Sequence, residues 1–233
     1  VAQALREQGA HTVIAPLVDF AHTSEEDKLV DALKDLEAGR FDWMTATSST
    51  VADVLTHHNA VIHPDTRVAL VGEATAVAFR DAGYPITRTP SQDNNTHALL
   101  EEWTETETSD VLRVLTLRSD VAIPVLTEGL INRGHDVTQV LAFRTVGVPA
   151  SVHIREDIAS GRINALLVAS AKIAEEVAAQ FPDLPEGTIV ACIGPNTLAA
   201  AAAAGLRDNP ESGQKQALLD TVESVIDQSD MLD

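Results

Sequence analysis

Short apolar runs alternate with amphipathic stretches along the whole chain, and glycines close most of the stretches. An opening helix, 1–8, ends at Gly9 and is followed by an apolar strand, 12–17. Thr23 and Glu26 have capping-box spacing and predict a helix to about Leu36, stopped by Gly39. The spacing then predicts strand 41–46, helix 48–57, strand 66–71, helix 74–81 with Gly83 behind it, strand 85–89, and a helix over 96–105 capped by Asn95 or Thr96. Further on it predicts strand 111–117, helix 125–134, strand 137–143, helix 155–160, strand 164–169, helix 171–181, strand 189–193 and helix 196–204. A surface loop over 208–216 and a final helix over 217–228 complete the series. Such alternation of short apolar strands with helices predicts α/β architecture, with parallel sheets covered on both faces.

The pattern occurs twice. Thr47-Ser48-Ser49-Thr50 is echoed by Ala169-Ser170-Ala171-Lys172, and Val71-Gly72-Glu73-Ala74-Thr75 by Ile193-Gly194-Pro195-Asn196-Thr197. Ser48 to Ser170, Gly72 to Gly194 and Gly83 to Gly205 all lie 122 positions apart, which indicates an internal duplication and two similar lobes. Strand 111–117 has no counterpart ahead of residue 1, so the first lobe reads as lacking its first strand.

Composition narrows the partners. The 233 residues are 45% hydrophobic but only 3% aromatic, so the cores must be aliphatic. A net charge of −19 argues against nucleic acid and anionic membranes. No apolar run reaches the roughly 20 residues of a membrane span, and no secretory signal is visible. Cys192 is the single cysteine and sits in a strand expected to be buried, so no disulfide forms within the chain and a cytoplasmic location is expected.

Chemistry should sit where parallel strands hand over to helices. Four loops qualify: Thr47 to Thr50, Gly72 to Thr75, Ser170 to Lys172, and Gly194 to Thr197. Helix N-termini offer backbone N–H groups to carboxylates or phosphates, and hydroxyls add donors. Serine and threonine at such places also serve as plain helix caps; matched pairs of loops favour the binding reading. Neither a P-loop nor a dinucleotide fingerprint is present, and no Cys or His pair has zinc spacing, so no metal site is expected. His57, His58 and His63 are expected to be solvated.

These motifs resemble the uroporphyrinogen-III synthase family. The similarity rests on Phe41-Asp42-Trp43 with Ala46-Thr47-Ser48, on Val68 to Ala76, on Ser119-Asp120 with Pro124-Val125-Leu126, on Gly134 to Thr145, on Ala165 to Ser170, and on Ile193 to Thr197. The resemblance implies a cofactor-independent cyclising lyase of tetrapyrrole and heme biosynthesis. Such an enzyme closes hydroxymethylbilane, an octa-carboxylate linear tetrapyrrole, to uroporphyrinogen III with loss of water and inversion of ring D. It implies two flavodoxin-like lobes, residues 1–18 with 146–233 and residues 19–145, joined by a two-segment hinge; a monomer is the expected state. Thr197 and Thr75 are then the candidate catalytic hydroxyls. Thr47, Ser48, Gly72, Phe143, Ser170, Ala171, Lys172, Gly194, Pro195 and Asn196 are the candidate substrate-binding residues. At two places the family pattern differs, having Tyr where Phe143 stands and Arg where Ile123 stands. A non-catalytic two-lobed binding protein for an anionic small molecule, and a fused regulatory domain, are the alternative readings.

Overall fold

The computed structural model describes residues 2–91, 95–106, 111–193, 195–206, 216 and 218–220. The chain divides into two compact units, one formed by Val1–Asp19 with Val146–Asp233 and the other by Phe20–Thr145.

In the continuous unit, a five-stranded sheet has the order β1-β5-β4-β2-β3. Its strands are β1 (Val18–His22), β2 (Trp43–Ala46), β3 (Arg67–Leu70), β4 (Arg113–Ser119) and β5 (Asp136–Gly147). Pairs β2–β3, β2–β4 and β4–β5 are parallel. All four residues of β2 are buried, as expected for a strand covered on both faces. Alternation along the strands separates two cores. Met44, Ala46, Val68, Leu70, Leu115 and Leu117 face helices α2 (Glu26–Glu37), α3 (Thr50–His57) and α4 (Glu73–Asp81). Trp43, Ala69 and Val114 face α5 (Thr96–Thr106) and α6 (Val125–Asn132), where Leu99, Leu100, Trp103, Leu126 and Leu130 complete the packing. Thr45 and Thr116 share this second face by strand parity. Trp43 and Trp103 meet at 4.8 Å between ring centroids, with the Arg88 guanidinium over both rings.

The other unit has a parallel two-stranded sheet of β6 (Ala165–Val168) and β7 (Ile189–Cys192) among the described residues. Helices α7 (Val152–Ala159), α8 (Ala171–Gln180) and α9 (Pro195–Ala203) accompany it, and α1 (Ala2–Glu7) opens the chain. Ile158, Val168, Ala174, Val177, Val190 and Ala201 form its core with Leu17 and Leu206.

Several expectations need correction. Residues 12–16 form no strand; the ladder begins at Val18, and Val13 and Ile14 are exposed. The expected strand 85–89 contracts to a single bridge, Ala69 to Arg88, because Pro85 offers no N–H and only Thr87 and Arg88 reach β3. The Thr23–Glu26 capping box does not form. Thr23 Oγ1 instead accepts from Glu25 N at 3.1 Å, and Glu25 becomes the N-cap without a side-chain bond. Helix α7 begins three residues earlier than expected, because Ser151 accepts from Ile154 N and caps it there. Cys192 is half-buried rather than fully enclosed. Asn95 does cap α5, its Oδ1 accepting from Ala98 N at 2.9 Å. The expected loop 208–216 and helix 217–228 lie for the most part outside the described residues.

Candidate functional site

The registers of β2, β3 and β4 place Ala46, Leu70 and Leu117 side by side. The loops that follow these strands therefore gather at one edge, bringing Thr47, Ser48, Gly72 and Asp120 to the carboxyl end of one sheet. In the other unit, Val168 pairs with Cys192, and Ser170 and Thr197 follow at the corresponding edge. Each unit by itself thus carries the paired loops expected from the duplication.

Within the loops, hydroxyls hold the backbone. Ser48 Oγ accepts from Thr50 N and Ser170 Oγ accepts from Ile173 N, both at 3.3 Å. Ser170 is the N-cap of α8 in extended conformation. Gly72 is the N-cap of α4 with φ +94° and ψ 129°, a conformation that disfavours any residue with a Cβ. A Cβ built there would lie 3.3 Å from Thr75 Oγ1. Thr75 is therefore tucked beneath the turn, only 3% exposed, and Thr197 in the first turn of α9 is 5% exposed. Thr47 and Ala171 are exposed. Gly194 lies outside the described residues, as do the side chains of Pro195 and Asn196.

Lys172 is engaged by its own helix. Its Nζ lies 3.1 Å from Glu176 and 3.4 Å from Glu175. The hydrogen bond to Glu176 raises the ammonium pKa above its ordinary value, so the charge is retained yet neutralised locally. Asp120 Oδ1 accepts from Thr145 N at 3.0 Å and so ties the loop after β4 to β5.

Phe143 is buried and meets Phe20 edge-on at 5.3 Å. Both line a groove of about 310 Å³ with His22, Glu26, Asp53, His57 and His58. His57 is exposed, as expected, with its ring tilted against that of His22 at 4.9 Å, whereas His58 is half-buried, its Nε2 3.5 Å from Glu26 and its side chain 15% exposed. Among the described residues, no group of three or more His, Cys, Asp or Glu could hold a metal ion, and no helix is long and apolar enough to cross a membrane.

Sequence reasoning missed a second set of residues. On the α5/α6 side of the same edge, a cavity of about 40 Å³ is lined by Thr45, Thr116, Arg118 and Thr127 among others. Thr116 and Thr127 share a hydrogen bond of 3.0 Å between hydroxyls. Only the run of polar residues within otherwise apolar strands could have marked it.

Fold and loops together define an α/β protein with mainly parallel strands and hydroxyl-bearing turns at their carboxyl ends. The family model for uroporphyrinogen-III synthase HemD matches residues 1–219. A chloroplastic uroporphyrinogen-III synthase from Oryza sativa subsp. japonica is 30% identical over 213 residues, covering 88% of this chain and 68% of that protein. Among solved structures, a uroporphyrinogen-III synthetase from Helicobacter pylori aligns with TM-score 0.59 at 16% identity, covering 93% of this chain and 95% of that one. A mutant uroporphyrinogen III synthase from Thermus thermophilus aligns with TM-score 0.54 at 18% identity, covering 96% and 94%. At these identities the two structures speak for the fold alone. The chain belongs to the uroporphyrinogen-III synthase family.

Proposed function

We propose that the protein closes hydroxymethylbilane to uroporphyrinogen III without a cofactor, in the cytoplasm and as a monomer. The observation that carries this reading is the family match across residues 1–219, which includes all four candidate loops. The reaction removes the terminal hydroxyl as water and leaves a cation delocalised over a pyrrole. A new carbon–carbon bond then forms at the substituted position of the last ring, and the older bond from that carbon to its methylene bridge breaks. The bridge re-bonds at the ring's free α-carbon, whose proton leaves in balance with the one taken up by the departing hydroxyl. The ring is thereby inverted and isomer III results. Without the protein, unguided closure gives isomer I.

Such a reaction asks the protein for placement more than for a nucleophile. A −19 chain repels an octa-carboxylate at long range, so binding must rely on local donors. In this reading the N–H groups and hydroxyls of Thr47, Ser48, Gly72, Ser170, Ala171, Gly194, Pro195 and Asn196 receive the carboxylates. Lys172 contributes a charge already balanced by Glu175 and Glu176, and Phe143 offers an apolar wall to a pyrrole. Thr75 and Thr197 supply the hydroxyls that hydrogen-bond the departing water.

The reading also takes the two compact units as flavodoxin-like lobes joined by a two-segment hinge. Supporting it, the chain passes between units only within β1 and within β5, which are neighbours in one sheet. Incubation with hydroxymethylbilane and separation of the product isomers tests the activity. Isomer III in excess over isomer I is expected; isomer I alone from folded protein overturns the reading.

A further inference from the structure

The 40 Å³ cavity at the carboxyl edge of β2 and β4 contains more buried donor capacity than the fold consumes. Thr45 is 1% exposed, and its Oγ1 has no hydrogen-bond partner among the described residues. The same holds for the buried Nε of Arg118. The Arg118 guanidinium is nevertheless held in place. Its Nη1 donates to Ser119 O at 3.0 Å and also to Ala122 O, pinning the side chain across the turn that leads into α6. Buried polar groups in native proteins nearly always find partners, because leaving one unmade forfeits its hydration without return. Two residues that each hold an unmatched buried group line one small cavity, and together they point to a ligand.

The chemistry of the lining says which kind. Arg118 supplies a permanent positive charge, and Thr45, Thr47 and Thr96 add hydroxyls, while no carboxylate lines the cavity. In a chain of net charge −19, that is a local well for an anion. The volume exceeds that needed for one water and suits a group as small as a carboxylate. Access runs past Thr47 and Ile123, both exposed and both lining the cavity. Arg118 thus brings a guanidinium to the turn beside Ile123, where the side chain itself offers none.

We infer that Arg118 and Thr45 form a subsite that takes one carboxylate arm of the tetrapyrrole. This rests on the proposed function and adds to it a charged partner whose charge is not already balanced, unlike that of Lys172 in the loops. A planar guanidinium edge suits a carboxylate better than an ammonium would.

Thr45→Val and Arg118→Gln in the full chain test it. Thr45→Val keeps the shape and removes only the unmatched hydroxyl. It should leave the melting temperature unchanged or raised, yet increase KM for hydroxymethylbilane roughly fivefold with kcat within twofold. Arg118→Gln should increase KM by about tenfold or more. A purely structural pair would move stability without moving KM. Fluorescence titration with uroporphyrin III, a stable octa-carboxylate, gives a second readout that needs no turnover; its Kd should rise in parallel with KM. If wild type makes isomer III but both variants keep wild-type KM and Kd, the subsite is refuted and the activity stands. If wild type makes no isomer III yet Arg118→Gln weakens uroporphyrin III binding, the activity reading fails and the subsite stands. Wild type that neither turns over nor binds uroporphyrin III overturns both.

Discussion

Gly72→Ala is the perturbation that joins backbone geometry to the site most directly. At φ +94° and ψ 129°, an L-residue is strained by roughly 1–3 kcal/mol. The added Cβ would also approach Thr75 Oγ1 at 3.3 Å, close enough to require a shift of a few tenths of an ångström. Thr75 is 3% exposed and wedged against the core of α4, so the shift must be taken up by the loop rather than by solvent. The sum is about 2 kcal/mol, or a fall in melting temperature of about 4–8 °C for a chain of this size. Circular dichroism melts measure the stability loss, and initial rates of uroporphyrinogen III formation measure the site. Turnover below the melt should fall at least tenfold, since the turn would no longer present its N–H groups and Thr75 in register. In a Thr75→Ala background the contact is removed but the backbone strain persists, so most of the stability loss should remain, with non-additivity of about 0.5 kcal/mol. A melting temperature within 1 °C of wild type would refute the backbone argument. Lost stability with unchanged turnover would remove this loop from the site.

Further outcomes follow from other contacts. Thr197→Val should lower turnover by more than tenfold while the melting temperature moves by only a few degrees, measured by the same melts and rates; equal losses would mark Thr197 as a packing residue. Asp42 accepts bonds from the Arg113 guanidinium and N–H at 2.8–3.1 Å, and that pairing, chiefly the side-chain bond, lowers its carboxyl pKa. A lowered folded-state pKa stabilises the protein above about pH 4 and is lost as pH falls through it. Asp42→Asn should therefore flatten the decline of stability between about pH 5 and 3 in urea titrations, without changing the product isomer. Lys172→Gln should change KM by less than about threefold, because Glu175 and Glu176 already neutralise the ammonium. A tenfold rise in KM would mean the lysine leaves those partners for substrate.

Much of this architecture was legible because strand and helix periods differ so plainly. Trp43 to Ala46, Arg67 to Leu70 and Ile189 to Cys192 stand out as short apolar runs, and Gly39, Gly83, Gly134 and Gly205 mark helix ends with positive φ. Local pattern failed where pairing decides. Residues 12–17 are apolar enough for a strand, yet the ladder starts only at Val18; residues 85–89 reach β3 only through Thr87 and Arg88. Thr23 illustrates a competition between two local bonds: its hydroxyl turned to Glu25 N, two residues ahead, instead of N3 of a box. The candidate loops were visible because each is contiguous in the chain. The Arg118–Thr45 cavity was not, since its walls come from β2, β4, α5 and α6, and only the sheet register brings Thr45 beside Thr116. His22 and His57 meet for the same reason, through folding of distant segments.

The expectations about turnover depend on whether the chain directs ring closure. Mixing hydroxymethylbilane with increasing concentrations of the protein, and quantifying both isomers after complete conversion, asks that question directly. The fraction of isomer III should climb from the spontaneous background toward unity as catalysed closure outruns unguided closure. A fraction that stays at the isomer I background, with protein shown folded by its melting transition, would contradict the account.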